Sequence, residues 1–409
     1  MDISNLKQNH QLLMDYLSQN GYGKDALGLT RRCISLALSI GDTPSIKSYE
    51  DLFFYEVNKR KYRANEGRYK SLRGYMGTLK VFDLEGKYPN GKPTGFLAPV
   101  SLFDQLNEHY QNLANFHLQN GRINGKLEKT VWVEFRAVIN FYKHLQDNDA
   151  ETLADITPQI IYSFFHDGNR QIRGFYYCQL IKAAMKVLII GHENRANTIM
   201  SYLPAIKRGN KNFQYLSQEE SAQIRACIED NQNELTTGER TIGWLLYFYG
   251  LRGTDITSLQ LNNIDWINDT INLIQSKTGY PVSLPLNAAT GNSLFDYIIK
   301  DRPKSENKTI LLSSRRPHLK YEQIGNSVKK IFKCAGVRMD GGAKGLRVFR
   351  HHFVTCLLTK GVECEVVSSL VGHQSPESLK PYVDADIEHL KECSIDISSY
   401  PVNLNIFEL

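Results

Sequence analysis

The chain has 409 residues, which is enough for about two or three domains with substantial cores. Its 42% hydrophobic and 22% charged residues are typical of a soluble globular protein. No segment approaches the roughly 18 apolar residues of a membrane helix, and the N-terminus lacks a signal-peptide pattern. The seven cysteines are scattered without a C-x-x-C pair, which argues against a disulfide framework and a zinc site. We therefore expect a cytoplasmic protein that has no membrane partner.

The net charge of +6 is mild, but the positive charges are unevenly distributed. One group, which we call the basic cluster, has tyrosines between its cations and a single acidic residue, Glu66. Its members are Lys59, Arg60, Lys61, Arg63, Arg68, Lys70 and Arg73. The cluster is either a solvated helix face or a surface that contacts DNA phosphates. We favour phosphate contact, because release of counterions from DNA favours clustered cations.

The first half of the chain is predicted to be helical. Residues 1–85 form one helical module, and residues 86–100 form a linker that is rich in Gly and Pro. Apolar residues at helical spacing predict a bundle of about four helices over residues 101–205, in which Thr157 caps a helix that begins at Pro158. A basic interdomain linker at residues 206–216 follows. Its cations are Lys207, Arg208 and Lys211.

Residues 217–409 are predicted to form a mixed domain, which begins at a capping box of Ser217 and Glu220. Strands at residues 270–274 and 280–284 flank a turn and form a hairpin. Helices are predicted at about 242–250, 321–335, 350–359 and 363–370. The fold class is mainly α with a small β-sheet, an α+β catalytic domain preceded by helical N-terminal modules.

Five side chains in this domain occur in an order that carries chemistry. They are Arg252 in the motif G-L-R-G-T-D-I, Lys277 in the hairpin turn, Arg350 in R-H-H-F, His373 in L-V-G-H, and Tyr382 nine residues later. Each of them alone is more often a surface or packing residue. A guanidinium, however, can bind two phosphate oxygens and stays protonated. Cleavage of a phosphodiester needs positive charge to stabilise the phosphoryl oxygens. The sequence has neither a metal-binding cluster nor a phosphate-binding glycine loop, so in such a reaction these side-chain cations would have to supply that charge.

This ordered series resembles the tyrosine recombinase (integrase) family, over roughly residues 100–400. The resemblance implies that Arg252 and Arg350 bind the scissile phosphate, that Asp255 orients Arg252, and that His373 contacts a phosphate oxygen. It implies that Lys277 is the general acid for the 5′ oxygen, with Lys320 and Lys344 as the fallback candidates. Tyr382 would be the nucleophile. No metal or cofactor is expected.

One position departs from the family pattern. The family usually has His three residues before the second arginine, and this chain has Arg347 there. Arginine can hold a phosphate but cannot accept a proton at neutral pH. If the reaction needs a general base, His373 is the first alternative, and His351 and His352 are less favoured ones.

The family implies a site-specific recombinase of a phage or mobile element, which acts as a multi-domain DNA clamp. It would cleave double-stranded DNA at specific core sites through a 3′-phosphotyrosine and exchange strands through a Holliday junction. The expected assembly is a homotetramer associated with the nucleoid, and a host DNA-bending or directionality factor is a further candidate partner. Residues 101–205 would be the core-binding domain and residues 1–85 an arm-type DNA-binding module.

Two other classes stay open. A type IB topoisomerase would use the same chemistry to relax supercoils as a monomer, and a non-catalytic regulator would bind DNA on a decayed recombinase scaffold. Residues 384–409 alternate between apolar and polar at their end, which predicts a strand. This tail either folds back on its own domain or docks on a neighbouring protomer.

Overall fold

The computed structural model describes residues 1–64, 66–209, 214–372, 379 and 382. The chain divides into two compact units. Residues Met1–Phe96 and Asn212–Leu409 form one unit, and Leu97–Lys211 form the other. The predicted tail strand at residues 384–409 lies outside the described residues. The domain boundaries drawn from the sequence remain predictions.

The N-terminal segment is helical, as its apolar spacing predicts. Its helices are α1 (Ser4–Gln19), α2 (Lys24–Ile40), α3 (Tyr49–Arg60) and α4 (Gly67–Glu85). Leu6, Leu13 and Leu17 of α1 are buried at intervals that place them on one helix face. Asp83 of α4 is also buried, and its carboxylate accepts hydrogen bonds from the Leu6 N–H at 2.6 Å and the Tyr49 hydroxyl at 2.9 Å. These bonds compensate for the desolvation of the carboxylate.

The segment after α4 remains packed on these helices as far as Phe96. The Tyr88 ring stacks on that of Tyr16 with 4.6 Å between their centroids, and Phe96 is buried against Phe53. Polar contacts join the turn between α1 and α2 to the loop around Arg316. The Tyr22 hydroxyl donates to the Arg316 carbonyl at 3.2 Å, and a guanidinium nitrogen of Arg316 donates to a carbonyl in the turn after α1 at 3.3 Å.

The second unit is a helical bundle. Its helices are α5 (Glu108–Ile123), α6 (Glu128–Gln146), α7 (Pro158–Phe165) and α8 (Phe175–Tyr202), with a two-stranded hairpin of β1 (His166–Asp167) and β2 (Arg170–Gln171). The Thr157 side chain caps α7 and Pro158 is its first residue, as predicted. The helical path of α8 continues past a kink at His192, where the backbone leaves helical geometry.

The C-terminal segment starts with the predicted capping box, in which Ser217 and Glu220 bond each other's backbone N–H groups. Its helices are α9 (Gln218–Glu229), α10 (Thr237–Tyr249), α11 (Gly253–Ser258), α12 (Ala288–Asp296), α13 (Gly325–Cys334), α14 (Leu346–Thr359) and α15 (Cys364–Val371). A 3₁₀ turn (Leu261–Asn263) follows α11 and a π turn (Tyr297–Asp301) follows α12. The core of this segment contains Trp244, Leu245, Phe332 and Phe349.

One antiparallel sheet lies in this segment, in the order β3 (Ile264–Asp265), β4 (Thr270–Ile274) and β5 (Pro281–Pro285). The register pairs Thr270 with Pro285 and Ile274 with Pro281, so the predicted hairpin is confirmed. The mainly helical class with a small sheet is likewise confirmed.

Two further observations concern only the part of the chain that the structure describes. It contains no helix that is both long and apolar enough to cross a membrane. It also contains no group of three or more His, Cys, Asp or Glu side chains arranged to hold a metal ion.

Candidate active site

The site is organised around the C-terminal end of α15. The last carbonyl groups of a helix have no partner within the helix and need donors from elsewhere. Here the Leu370 carbonyl accepts from the side-chain amide of Gln275 at 3.5 Å, the Val371 carbonyl accepts from Arg350, and the Gly372 carbonyl accepts from Arg252 at 3.0 Å. Cations are also favoured at this end by the helix dipole. The two predicted arginines therefore meet at the residues that directly precede His373.

Arg252 owes its position to a sharp turn between two helices. Gly250 ends α10 in the left-handed region, with φ of +54°. A Cβ at this position would lie 2.9 Å from Cδ1 of Phe353, so only glycine permits this approach of α10 to α14. Arg252 follows as the residue before α11, and one of its guanidinium nitrogens donates to the side-chain oxygen of Gln275.

Arg350 is held from the other side. Its guanidinium donates to the Gly250 carbonyl at 3.1 Å as well as to Val371. Burial and then the nearby positive charge of Arg252 lower the pKa of Arg350 to about 10. The group still carries its charge at neutral pH. Two half-buried guanidinium groups that repel each other form a site that is preorganised for an anion, because a bound phosphate would relieve the repulsion.

Tyr382 lies in a small apolar cluster with Val354, Leu358, Val367 and Val371, and its side chain is 6% exposed. Burial raises the pKa of the Tyr382 phenol. The positive charge of Arg350, and a hydrogen bond from its guanidinium to the phenol oxygen, oppose this rise. Arg252 and Arg347 also oppose it through their charges. The tyrosine is thus fixed by apolar packing, while its oxygen faces the arginines.

Helix α14 presents three polar side chains to this region. Arg347, Arg350 and His351 are spaced so that they share one side of the helix, while Val348, Phe349 and His352 are buried on the other. Arg347 is exposed, and its charge acts on the pKa values of both Tyr382 and His351.

The two histidines after Arg350 have different environments. The His351 ring meets the Tyr382 ring edge to face at 5.4 Å, and its Nδ1 lies 3.0 Å from the Gln214 carbonyl. Burial lowers the pKa of His351, so the imidazole is neutral near pH 7. His352 is buried away from the site, with Nε2 2.9 Å from the Ser221 hydroxyl. Of these two histidines, only His351 lies beside the tyrosine.

The hairpin that carries Lys277 is anchored at its base. The Asp255 carboxylate accepts from the Ser276 N–H at 2.8 Å, and the backbone of Gln275 closes the turn through bonds to Tyr280 at 2.9 Å and Gly279 at 2.8 Å. Lys277 itself is exposed in the turn. The contacts described for the guanidinium of Arg252 are with Gln275 and Gly372, so the expected role of Asp255 toward Arg252 remains a prediction.

The other predicted residues lie apart from this centre or outside the description. His373 and Lys211 are not among the described residues. Lys320 and Lys344 are not among the contacts of the arginine pair. Every member of the basic cluster is exposed, although Arg60 pairs with Glu56 at 2.9 Å. Lys207 and Arg208 are exposed in the second unit.

Comparisons with known proteins concern the fold and the family of the chain. The chain shares its fold with a lambda integrase dimer bound to a COC′ core site, with a TM-score of 0.52 at 18% identity over 66% of this chain and 76% of that one. The likeness to this structure is one of fold. Residues 214–389 match the phage integrase family. This part of the chain belongs to that family, the tyrosine recombinases.

Relatives in sequence match less than half of the chain. An integrase/recombinase of Sinorhizobium fredii, y4gC, is 29% identical over 187 residues, which are 45% of this chain and 97% of that protein. Tyrosine recombinase XerC of Lactobacillus delbrueckii subsp. bulgaricus is 26% identical over 191 residues, which are 45% of this chain and 63% of XerC. Over two further integrase/recombinases of S. fredii, the match spans 36% and 37% of their length.

Sequence reasoning did not single out Gln275. One signal was available, because Gln275, the residue after β4, continues the alternation of Ile271 and Leu273, and all three are buried. A polar residue on the inward side of a strand needs buried partners, and here those partners belong to the site. The contact of His351 with Tyr382 had no comparable signal, since it depends on a pairing between residues that are distant in sequence.

Proposed function

We propose that this protein is a site-specific DNA recombinase that cleaves and rejoins duplex DNA through a 3′-phosphotyrosine intermediate. The observation that carries the proposal is the convergence of Arg252, Arg350 and the buried Tyr382 at the end of α15. A pair of guanidinium groups can stabilise the charge that develops on the phosphoryl oxygens during transfer.

In the proposed cleavage step, the phenol oxygen of Tyr382 attacks the scissile phosphorus and forms a P–O bond. The bond from phosphorus to the 5′ oxygen breaks, and the leaving oxygen takes a proton from Lys277. The proton of the phenol passes to a base, for which His373 and His351 are the candidates. Rejoining reverses these steps when a 5′-hydroxyl attacks the phosphotyrosine. Because the covalent link retains the energy of the phosphodiester, the cycle needs no external fuel.

DNA is the proposed substrate on two independent grounds. The basic cluster and the cations Lys207 and Arg208 offer exposed positive charge for phosphate contacts. The lambda integrase structure that shares this fold is a dimer bound to a core site. We propose that this chain likewise acts on specific core sites, with residues 1–85 and 101–205 as DNA-binding modules that together with the catalytic domain clamp the duplex.

The proposed assembly is a tetramer on two duplexes, which exchanges strands through a Holliday junction for a phage or mobile element. The C-terminal tail would join neighbouring protomers, and a host DNA-bending or directionality factor would act with the complex. The tail and the factor extend the proposal and are not needed for the cleavage step.

A nicked suicide substrate tests the proposal, because the short 5′ fragment diffuses away and traps the covalent intermediate. We expect adducts between wild-type protein and DNA, and Holliday junctions when two site-bearing duplexes are supplied. Adducts without junctions would favour the type IB topoisomerase. Site binding without adducts would favour the non-catalytic regulator.

A further inference from the structure

Gln275 is a buried polar residue that the proposed chemistry does not use directly. Its side chain is 1% exposed, and all of its hydrogen-bonding partners belong to the site. The side-chain oxygen accepts from a guanidinium nitrogen of Arg252 and from the Thr278 hydroxyl at 3.3 Å. The side-chain nitrogen donates to the Leu370 carbonyl at 3.5 Å. A single amide therefore touches three separate elements: the residue before α11, the hairpin turn and the end of α15.

The position of this amide is tightly constrained. Gly372 lies beside it in the left-handed region, with φ of +61°, and a Cβ there would come within 1.8 Å of the side-chain oxygen of Gln275. The backbone of Gln275 is fixed as well, because it closes the hairpin turn through Tyr280 and Gly279. The side chain thus has little freedom to move without displacing Arg252 or the end of α15.

The choice of an amide has an electrostatic consequence. A neutral oxygen can orient the Arg252 guanidinium while leaving its full positive charge for a phosphate. A carboxylate of the same shape would pair with Arg252 and place a negative charge beside the anion that the site must bind.

We propose that Gln275 is a positioning residue that sets both the orientation of Arg252 and the placement of the Lys277 turn. The guanidinium that contacts the phosphate and the lysine that donates the proton are then correctly placed for the same cleavage step. This inference rests on the proposed function, since it assigns a role within the same cleavage step. Gln275 touches neither the phosphate nor the leaving oxygen in this account. It acts through the arginine and through the turn.

The first test uses Gln275→Glu in the full-length chain. The carboxylate keeps the size of the side chain and an acceptor for Arg252 but loses the donor to the Leu370 carbonyl, so thermal denaturation and DNA-site affinity are measured beside the rate, and rates are compared at saturating DNA. Single-turnover cleavage of a suicide substrate should fall by about 100-fold, the scale associated with a misplaced or neutralised catalytic group. Asn272→Asp is the matched control. It makes the same chemical change on the exposed side of the same strand, and we expect wild-type cleavage.

The second test separates the arginine from the lysine. A substrate with sulfur in place of the bridging 5′ oxygen has a leaving group that needs no proton, so it should restore cleavage by Lys277→Ala. Gln275→Met removes the hydrogen bonds but keeps an apolar side chain of similar length. With the sulfur substrate, we expect Gln275→Met to regain the part of the cleavage rate that was lost because the Lys277 turn is displaced. The part that was lost because Arg252 is misoriented should remain lost. A merely weakened fold would lower the rates on both substrates by the same factor.

The outcomes are distinguishable. Absence of adducts with wild-type protein would overturn the proposed function itself. Wild-type adducts together with normal rates for Gln275→Glu and Gln275→Met would overturn only the role of Gln275. If Gln275→Met lowered the cleavage rate by the same factor on both substrates, the proposal would also be overturned, because the loss would then not involve the Lys277 turn.

Discussion

The arginine pair of the active site and the basic cluster are both groups of cations, but the protein treats them differently. Arg252 and Arg350 are half-buried and bonded to carbonyls and to Gln275, and the pKa of Arg350 is lowered to about 10. The cations of the basic cluster are all exposed, although the Glu56 carboxylate that pairs with Arg60 is itself buried. Buried, oriented charge suits catalysis, whereas exposed charge suits contacts that tolerate different geometries.

We expect cleavage to depend on the geometry of the arginine pair, whereas DNA binding by the basic cluster should depend only on its positive charge. Arg252→Ala and Arg350→Ala should each lower the single-turnover cleavage rate by roughly two to four orders of magnitude, the range expected for loss of an electrostatic donor. Arg252→Lys should also be slow, because an ammonium cannot reach Gln275 and Gly372 while facing a phosphate as a planar guanidinium does. Near-normal cleavage by the lysine variant would remove Arg252 from the catalytic group.

The pH profile tests how the buried nucleophile loses its proton. Because burial raises the pKa of Tyr382, the phenol stays protonated at neutral pH and must lose its proton during the attack. With His351 or His373 as the acceptor, the cleavage rate should rise while that imidazole loses its own proton and then level off. Single-turnover rates measured between about pH 6 and pH 9 would show the plateau. A rate that keeps rising by about tenfold per unit up to pH 9 would contradict proton transfer to a histidine and indicate attack by free phenolate.

Arg347 shares a property with each group of cations. It is exposed like the basic cluster, yet its charge acts on Tyr382 as those of the arginine pair do. If it occupies the position where the family usually has histidine, Arg347→His should retain much of the cleavage activity and Arg347→Ala should lose most of it. Adduct formation by the two variants at equal protein concentration is the measurement. Equal, wild-type rates for both would show that Arg347 lies outside the site.

The basic cluster should show the smallest effect and only on binding. Replacing Lys61 and Lys70 with glutamine should weaken DNA affinity and reduce its salt dependence by roughly two units of slope, with normal cleavage once DNA is saturating. Lys24 and Lys47, which are exposed in the same segment, provide a control of equal charge. Equal affinities for the two double variants would identify the basic cluster as a solvated face.

Much of the fold could be predicted from the sequence because its signals are local. The caps at Thr157 and Ser217 and the alternation of the hairpin each depend on neighbouring residues, and the structure contains them. The contacts of Gln275 with Arg252 and of His351 with Tyr382 join residues that are far apart in sequence. No local pattern specifies such pairs, so they required the structure.

The packing of the predicted linker at residues 86–100 could not be predicted from a local pattern either. A stretch rich in Gly and Pro predicts a linker, yet Phe96 packs against Phe53. Gly77 leaves room for Phe96, because a Cβ added at position 77 would lie 2.6 Å from the Phe96 Cβ. Composition signals where a helix stops. It does not signal whether the following chain packs on that helix or leaves it.

The central claim is that the oxygen of Tyr382 forms the covalent bond with DNA, and identification of the linked residue tests it most directly. Trapped adducts would be digested with protease and nuclease, and the peptide that carries the nucleotide would be sequenced by mass spectrometry. We expect the modified residue to be Tyr382, and we expect Tyr382→Phe to bind the site normally but to yield no adduct. Attachment at any other residue, or adducts that persist in Tyr382→Phe, would contradict it.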